Sequence, residues 1–91
     1  LAITTTLSGA QVNITIGGTG HYLRLCNAGG GYAYIWFYEA SASPPTVTIA
    51  NSVVMPPGAI EVFSVASDTT RVAALGDATG TTLNAVRGEG V

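Results

Sequence analysis

The 91-residue sequence predicts an all-β domain: a small antiparallel β-sandwich or β-barrel of jelly-roll or immunoglobulin-like size, with about seven to nine short strands. Three observations predict it. Thr, Val and Ile make up nearly a third of the chain, and side chains branched at Cβ suit a pleated, half-buried surface better than a helix. Gly and Pro clusters recur at short intervals, at Gly17-Gly18, Gly29-Gly30-Gly31, Pro44-Pro45, Pro56-Pro57-Gly58, Gly76 to Gly80 and Gly88, and cut the chain into pieces of strand length. Between these breaks, apolar and polar residues alternate with period two.

In chain order, Val12, Ile14 and Ile16 share one face and Gln11, Asn13 and Thr15 the other, which describes a half-buried strand. The piece from His21 to Cys26 places Leu23 and Leu25 on one side and Tyr22, Arg24 and Cys26 on the other. A third strand, Tyr32 to Tyr38, is apolar on both faces. Further strands are expected at Thr46 to Ile49, Ser52 to Met55, Ile60 to Val65, Arg71 to Leu75 and Thr81 to Val86. Val72 to Leu75 hints at a helix but is too short to stand as one. The stretch from Glu39 to Ala50 is the most loop-like and is expected to leave the sheet, because Pro44 and Pro45 have no N–H to give to a central ladder. Gly17-Gly18-Thr19-Gly20 reads as a hairpin turn, since the Lys and the following helix of a phosphate-binding loop are missing. No boundary or sustained repeat divides the chain, so residues 1–91 are expected to form a single domain.

Composition narrows the function classes. The chain is 47% hydrophobic and 9% charged, against about 25% charged in an ordinary soluble domain. Either its surface holds more apolar area than a free monomer usually tolerates, or the chain is a tight β-domain whose surface is Thr, Ser and Gly rather than charge. Cys26 is the only cysteine, so no intrachain disulfide is available, and stability must come from packing or association. A lone cysteine of this kind is commonly a small buried apolar side chain. The net charge is −2, with three Arg and no Lys, which provides no basic footprint for nucleic acid. Apolar runs fall far short of the roughly 20 residues of a membrane span. Leu1 to Leu7 lack the basic start and long apolar stretch of a signal peptide, so the expectation is a soluble chain with no visible address.

No catalytic, metal-binding or cofactor-binding set emerges. His21 and Cys26 are the sole histidine and thiol, and their odd separation sends them to opposite faces of one strand, roughly 16 Å apart. One His and one Cys give no paired zinc-ligand spacing. Glu39, Glu61, Asp68, Asp77 and Glu89 are scattered singly. Asp68 and Asp77 lie in settings that suit turns, and the loop from Gly76 to Gly80 offers calcium too few oxygens. Asn13-Ile14-Thr15 fits a glycosylation acceptor but reads as a chance match on a strand.

The aromatic strand is the feature with functional content. Ala33, Ile35 and Phe37 share one face; Tyr32, Tyr34, Trp36 and Tyr38 share the other. A solvated face would carry polar residues at these positions, so the four aromatics must be covered, by a second layer of the same domain or by another chain. They are the candidate protein interface, Tyr and Trp being enriched at interface hot spots. A sugar-stacking platform is the other use of such a stripe, though no cluster of Asp, Asn and Glu accompanies it.

From Tyr22 onward the chain resembles a family of small bacteriophage virion proteins. Leu23-Arg24-Leu25-Cys26-Asn27-Ala28-Gly29 is similar to the family's strand ending in an Asn-Ala-Gly turn, and Ala33-Tyr34-Ile35-Trp36-Phe37 to its aromatic strand. Met55-Pro56-Pro57-Gly58-Ala59-Ile60-Glu61-Val62-Phe63 resembles its Pro-Gly turn and Glu-Val-Phe strand. Arg71-Val72-Ala73-Ala74-Leu75 and Gly88-Glu89-Gly90-Val91 resemble its last strand pair and terminus. Trp36 departs from the pattern, where a shorter or polar residue often stands. The resemblance implies a non-enzymatic capsid decoration (cement) protein of a tailed phage, made in the host bacterial cytoplasm and carried on the virion. It further implies the major capsid protein as partner, a homo-oligomer, specifically a trimer, and no cofactor. The alternative is a tail or fibre adhesion module that binds host surface glycan.

Overall fold

The computed structural model describes residues 2–16, 20–39 and 41–88. Eight strands follow one another: β1 (Ala2–Leu7), β2 (Val12–Thr15), β3 (Tyr22–Asn27), β4 (Ala33–Tyr38), β5 (Val53–Met55), β6 (Ile60–Ser64), β7 (Arg71–Gly76) and β8 (Thr81–Gly88). They form two four-stranded sheets, β1-β8-β3-β6 and β2-β7-β4-β5, in which every pairing is antiparallel. The described residues hold no helix, and so none long and apolar enough to cross a membrane.

The pairings obey one rule. The first strand pairs the last, β2 pairs β7, β3 pairs β6 and β4 pairs β5. The chain is thus one long antiparallel ribbon with its tip at β4–β5, rolled up until β8 meets β3 and β7 meets β4. Eight strands in two sheets with this order form a jelly roll, so the sandwich expected from the sequence is present with a specific winding.

Alternation explains the core. Leu7, Leu23, Leu25, Leu83 and Ala85 from the first sheet face Ile14, Ala33, Ile35, Met55, Val72 and Ala74 from the second, and together they form one buried cluster. Phe63 of β6 meets Phe37 of β4 across the sandwich, with ring centroids 4.9 Å apart and planes tilted by 56°, a favourable offset for aromatic quadrupoles.

A buried polar side chain closes each end of the sandwich. At one end Asn27, fully buried, donates from Nδ2 to the carbonyls of Gly31 (2.9 Å) and Met55 (2.8 Å). Its Oδ1 accepts from the Thr81 hydroxyl and, at 3.4 Å, from the Gly29 amide. Its main chain adds bonds to Ala59 and Gly58. The Asn-Ala-Gly turn noted in the sequence is therefore a junction of three connections. Gly29 is required there because a Cβ would approach the Thr81 main chain to 2.7 Å. Gly58 has φ +81 at the third position of a Pro56–Ala59 turn closed by Ala59 N–H to Pro56 C=O at 3.1 Å, which is type II geometry. At the other end Arg87, 6% exposed, donates to the carbonyls of Gly20 (2.8 Å), Ala66 (3.1 Å), Ser67 (3.2 Å) and Thr69, holding the β6–β7 connection against the start of β3.

Several expectations are corrected. Ala2–Leu7 forms an edge strand the sequence did not announce, since Thr4 to Thr6 blur its alternation. Thr46 to Ile49 is not a strand; that stretch belongs to the long β4–β5 connection. The β2–β3 connection cannot be a hairpin, because β2 and β3 lie in different sheets; residues 17–19 themselves are outside the described set. β7 and β8, read as a strand pair, likewise belong to different sheets. Cys26 is half-buried on the outer face rather than in the core. Residues 89–91, which include Glu89, lie outside the described residues.

Replacing Asn27 by Ala should cost about 2–4 kcal/mol, because two interior carbonyls lose their donor. Chemical denaturation would register this as a lower midpoint at unchanged slope; a midpoint within error of wild type would show that the ends close without it.

Candidate interaction surface

Strand β4 alternates as the sequence predicts. Ala33 and Ile35 are fully buried in the core with Phe37 beside them, while Tyr34, Trp36 and Tyr38 point outward from the second sheet. The four aromatic candidates then separate. Tyr34 is 8% exposed and Tyr38 half-buried, whereas Trp36 is 37% and Tyr32 44% exposed.

The division comes from the β4–β5 connection, which leaves the sheet as expected and returns across its outer face. Val47, itself buried, packs with Tyr34 and Ala73 in a small second cluster that Tyr38 and Leu75 border. One side chain fastens this cover. Gln11 donates from Nε2 to the Pro45 carbonyl at 2.6 Å and accepts at Oε1 from the Val47 amide at 2.8 Å, standing in for a neighbouring strand. Farther along, Asn51 accepts from the Thr48 amide (2.8 Å) and donates to the Thr46 carbonyl (3.0 Å), closing the turn that leads to β5. The chain's own loop therefore covers the middle of the stripe, and Trp36 and Tyr32 stay open on either side of it.

Tyr32 is positioned by Asp77. The carboxylate accepts the Tyr32 amide at 2.9 Å and, through its other oxygen, the amides of Thr79 (2.9 Å) and Gly80 (3.1 Å). The bond from the Tyr32 N–H, with those of Thr79 and Gly80, holds the Asp77 carboxyl below the ordinary range despite an opposing effect of burial. This is a turn role, as the Gly-rich setting of Asp77 predicts.

The exposed aliphatic residues were not singled out from the sequence. Among the described residues, Ile49 (67%), Ile60 (64%) and Val62 (62%) are the most exposed large hydrophobics, and Val54 and Val53 are the next most exposed of the large aliphatic ones. Four of these five belong to β5 and β6, each at one edge of its sheet. The four-residue turn Pro56–Ala59 joins these strands, so both edges lie on the same side of the sandwich. On the outer face of the first sheet, Ile60 lies beside Cys26 and Val62 beside Arg24, with Tyr22 (43% exposed) next in the row. Period two told which residues share a face. It carried no information on which strand ends a sheet.

His21 and Cys26, the lone histidine and thiol, are not brought together. His21 is exposed just before β3, its Nδ1 3.4 Å from the Val65 carbonyl, and Cys26 sits half-buried at the far end of that strand. Among the described residues no group of three or more His, Cys, Asp or Glu could hold a metal ion. A shallow hollow of about 490 Å³ lies at the Asn27 end between Leu7, Gly29 and Thr79 to Thr82, and no ionisable side chain lines it.

No protein-family profile, curated protein or solved structure matches the chain. Geometry and residue chemistry therefore carry the functional reading.

Two outcomes test this surface. Gln11→Ala should speed hydrogen exchange at the Val47 amide and cost about 1 kcal/mol of stability; unchanged protection at Val47 would show that the loop needs no such fastening. For Asp77, whose folded pKa is depressed, the stabilisation is present above its unfolded value of about 3.9 and is lost as pH falls through the folded value. Acid titration of Asp77→Asn should therefore lack that part of the acid-induced loss of stability seen in the wild type.

Proposed function

We propose that this domain is a non-enzymatic structural protein of a tailed-bacteriophage virion, a capsid decoration protein that stabilises the shell by packing across neighbouring major capsid protein subunits. The observation that carries this reading is the amount of large apolar surface left outside on a domain with little charge: Tyr22, Tyr32, Trp36, Ile49, Val53, Val54, Ile60 and Val62 are all more than a third exposed. Covering an aliphatic side chain is worth about 1.5–3 kcal/mol when complete, so a neighbour that covers several of these residues gains more than any surface ion pair provides. The resemblance of the Asn27 turn, the aromatic strand and the Pro56-Pro57-Gly58 turn to phage virion proteins supplies the setting. The jelly roll accommodates it, being an architecture used by viral capsid domains, although fold alone assigns no function.

In this reading the chain is made in the host cytoplasm, acts on the capsid surface as a homo-oligomer, and needs neither cofactor nor nucleic acid. Shells assembled without it should release their contents at lower temperature and after milder osmotic shock than complete shells, and equal resistance would refute the decoration role. A second reading, glycan adhesion on a tail or fibre, draws on the exposure of Trp36 and Tyr32, aromatic faces open to a sugar ring. Under that reading Trp36→Ala should abolish host-cell binding, and a variant that still binds host cells normally would remove it.

A further inference from the structure

Strand β6 has an unpaired side whose main-chain groups can be identified. Its hydrogen-bonded partners in β3 follow from the bonds at the two ends of the ladder: Asn27 N–H donates to Ala59 C=O at 2.9 Å and Val65 N–H to His21 C=O at 2.8 Å. With the register Leu25↔Glu61 and Leu23↔Phe63 between them, the odd-numbered residues of β6 turn their N–H and C=O toward β3. Those of Ile60, Val62 and Ser64 therefore point away from the sheet, along an edge that no other strand covers among the described residues.

The other edges are blunted. β5 has three residues and runs into Pro56-Pro57. β2 has the 45–47 segment tied to its start through Gln11. β1 turns Thr4 and Thr6 outward, in place of aliphatic residues, on its exposed face. β6 contains neither Lys nor Pro, the usual means of discouraging edge pairing. Its outward side chains, Ile60 and Val62, are among the most exposed hydrophobics of the molecule.

We infer that β6 pairs with β6 of a second copy, antiparallel about a two-fold axis at Val62, to make a continuous eight-stranded sheet. The occupant is a second copy because the edge is self-complementary in one register. Centred on Val62, the pairs are Val62 with Val62, Ile60 with Ser64 and Ser64 with Ile60, so all three residues with outward main-chain groups on each chain meet their like. Glu61, the one charge of the strand, then faces Phe63 of the other copy. A register centred on Glu61 would oppose two carboxylates, which is destabilising, and one centred on Phe63 would leave Ile60 unpaired. Glu61 therefore selects the register. An isologous contact of this kind closes as a dimer, whatever larger assembly the domain joins, and it differs from the trimer that the family resemblance implies.

The contact is a short strand pair, so the dimer should be weak and should form over about 10 μM to 1 mM protein. Sedimentation equilibrium across that range should show mass rising from one copy to two, and Val62→Lys should hold the protein at one copy with an unaltered thermal midpoint in dilute solution. Cross-linking tests the register. Opposed residues of a hydrogen-bonded antiparallel pair have Cα atoms about 5.5 Å apart, within disulfide reach, whereas in this register the two Ser64 positions lie about 13 Å apart along the strands. In a Cys26→Ala background, Val62→Cys should give a diamide-dependent dimer much faster than Ser64→Cys. A wild-type protein that stays monomeric to 1 mM, a trimer, or equal cross-linking at both positions would overturn the inference.

Discussion

The carbonyls of Gly31 and Met55 face an interior that water does not reach, and the Asn27 amide supplies a donor to each. The rest of the fold depends on this arrangement. In a rolled ribbon, strands adjacent in sequence mostly lie in different sheets, so their connections must cross the open end of the sandwich and bring main-chain polar groups into it. Each such group left unsatisfied would cost about 1–3 kcal/mol, against a total stability of only about 5–15 kcal/mol. Asn27 offers two donors and an acceptor from a single buried position, and so joins the β3–β4 and β5–β6 connections to the first residue of β8. Arg87 does the same at the opposite end with a guanidinium directed at four main-chain carbonyls.

With both ends closed by hydrogen bonds, the interior can be purely apolar, and the low charge of the chain follows the same economy. Asp77 and Arg87 are engaged in holding main chain, and the neutral Gln11 in holding a loop. Among the described residues, half of the large hydrophobics left exposed lie on β5 and β6, with Trp36 on the strand beside β5.

The division of the aromatic stripe shows where sequence reading stops. The parity of Tyr32 to Tyr38 correctly separates a core face from an outer face, because a strand has no other way to place its side chains. Whether the outer face is covered from within or from without depended on a loop 14 residues long, Glu39 to Ser52. Its path turns on a contact between Gln11 and Pro45, 34 positions apart. Nothing local to either residue marks that contact. Val47 read as part of a strand for the same reason: a β-branched residue between threonines has strand character locally, and the tertiary structure uses it as a lid.

By itself, the sequence determined the all-β class, most strand positions and the two faces of β2, β3 and β4, because period two, β-branching and Gly-Pro punctuation are local properties of the chain. Tertiary structure decided the rolled order of the strands, the crossing of sheets at the β2–β3 and β7–β8 connections, the role of Asn27 and Arg87 as end closures, and the exposure of Ile60 and Val62. These depend on which strands become neighbours and which are left at an edge. Hydrogen bonds between residues far apart in the chain settle that, and no local pattern encodes it.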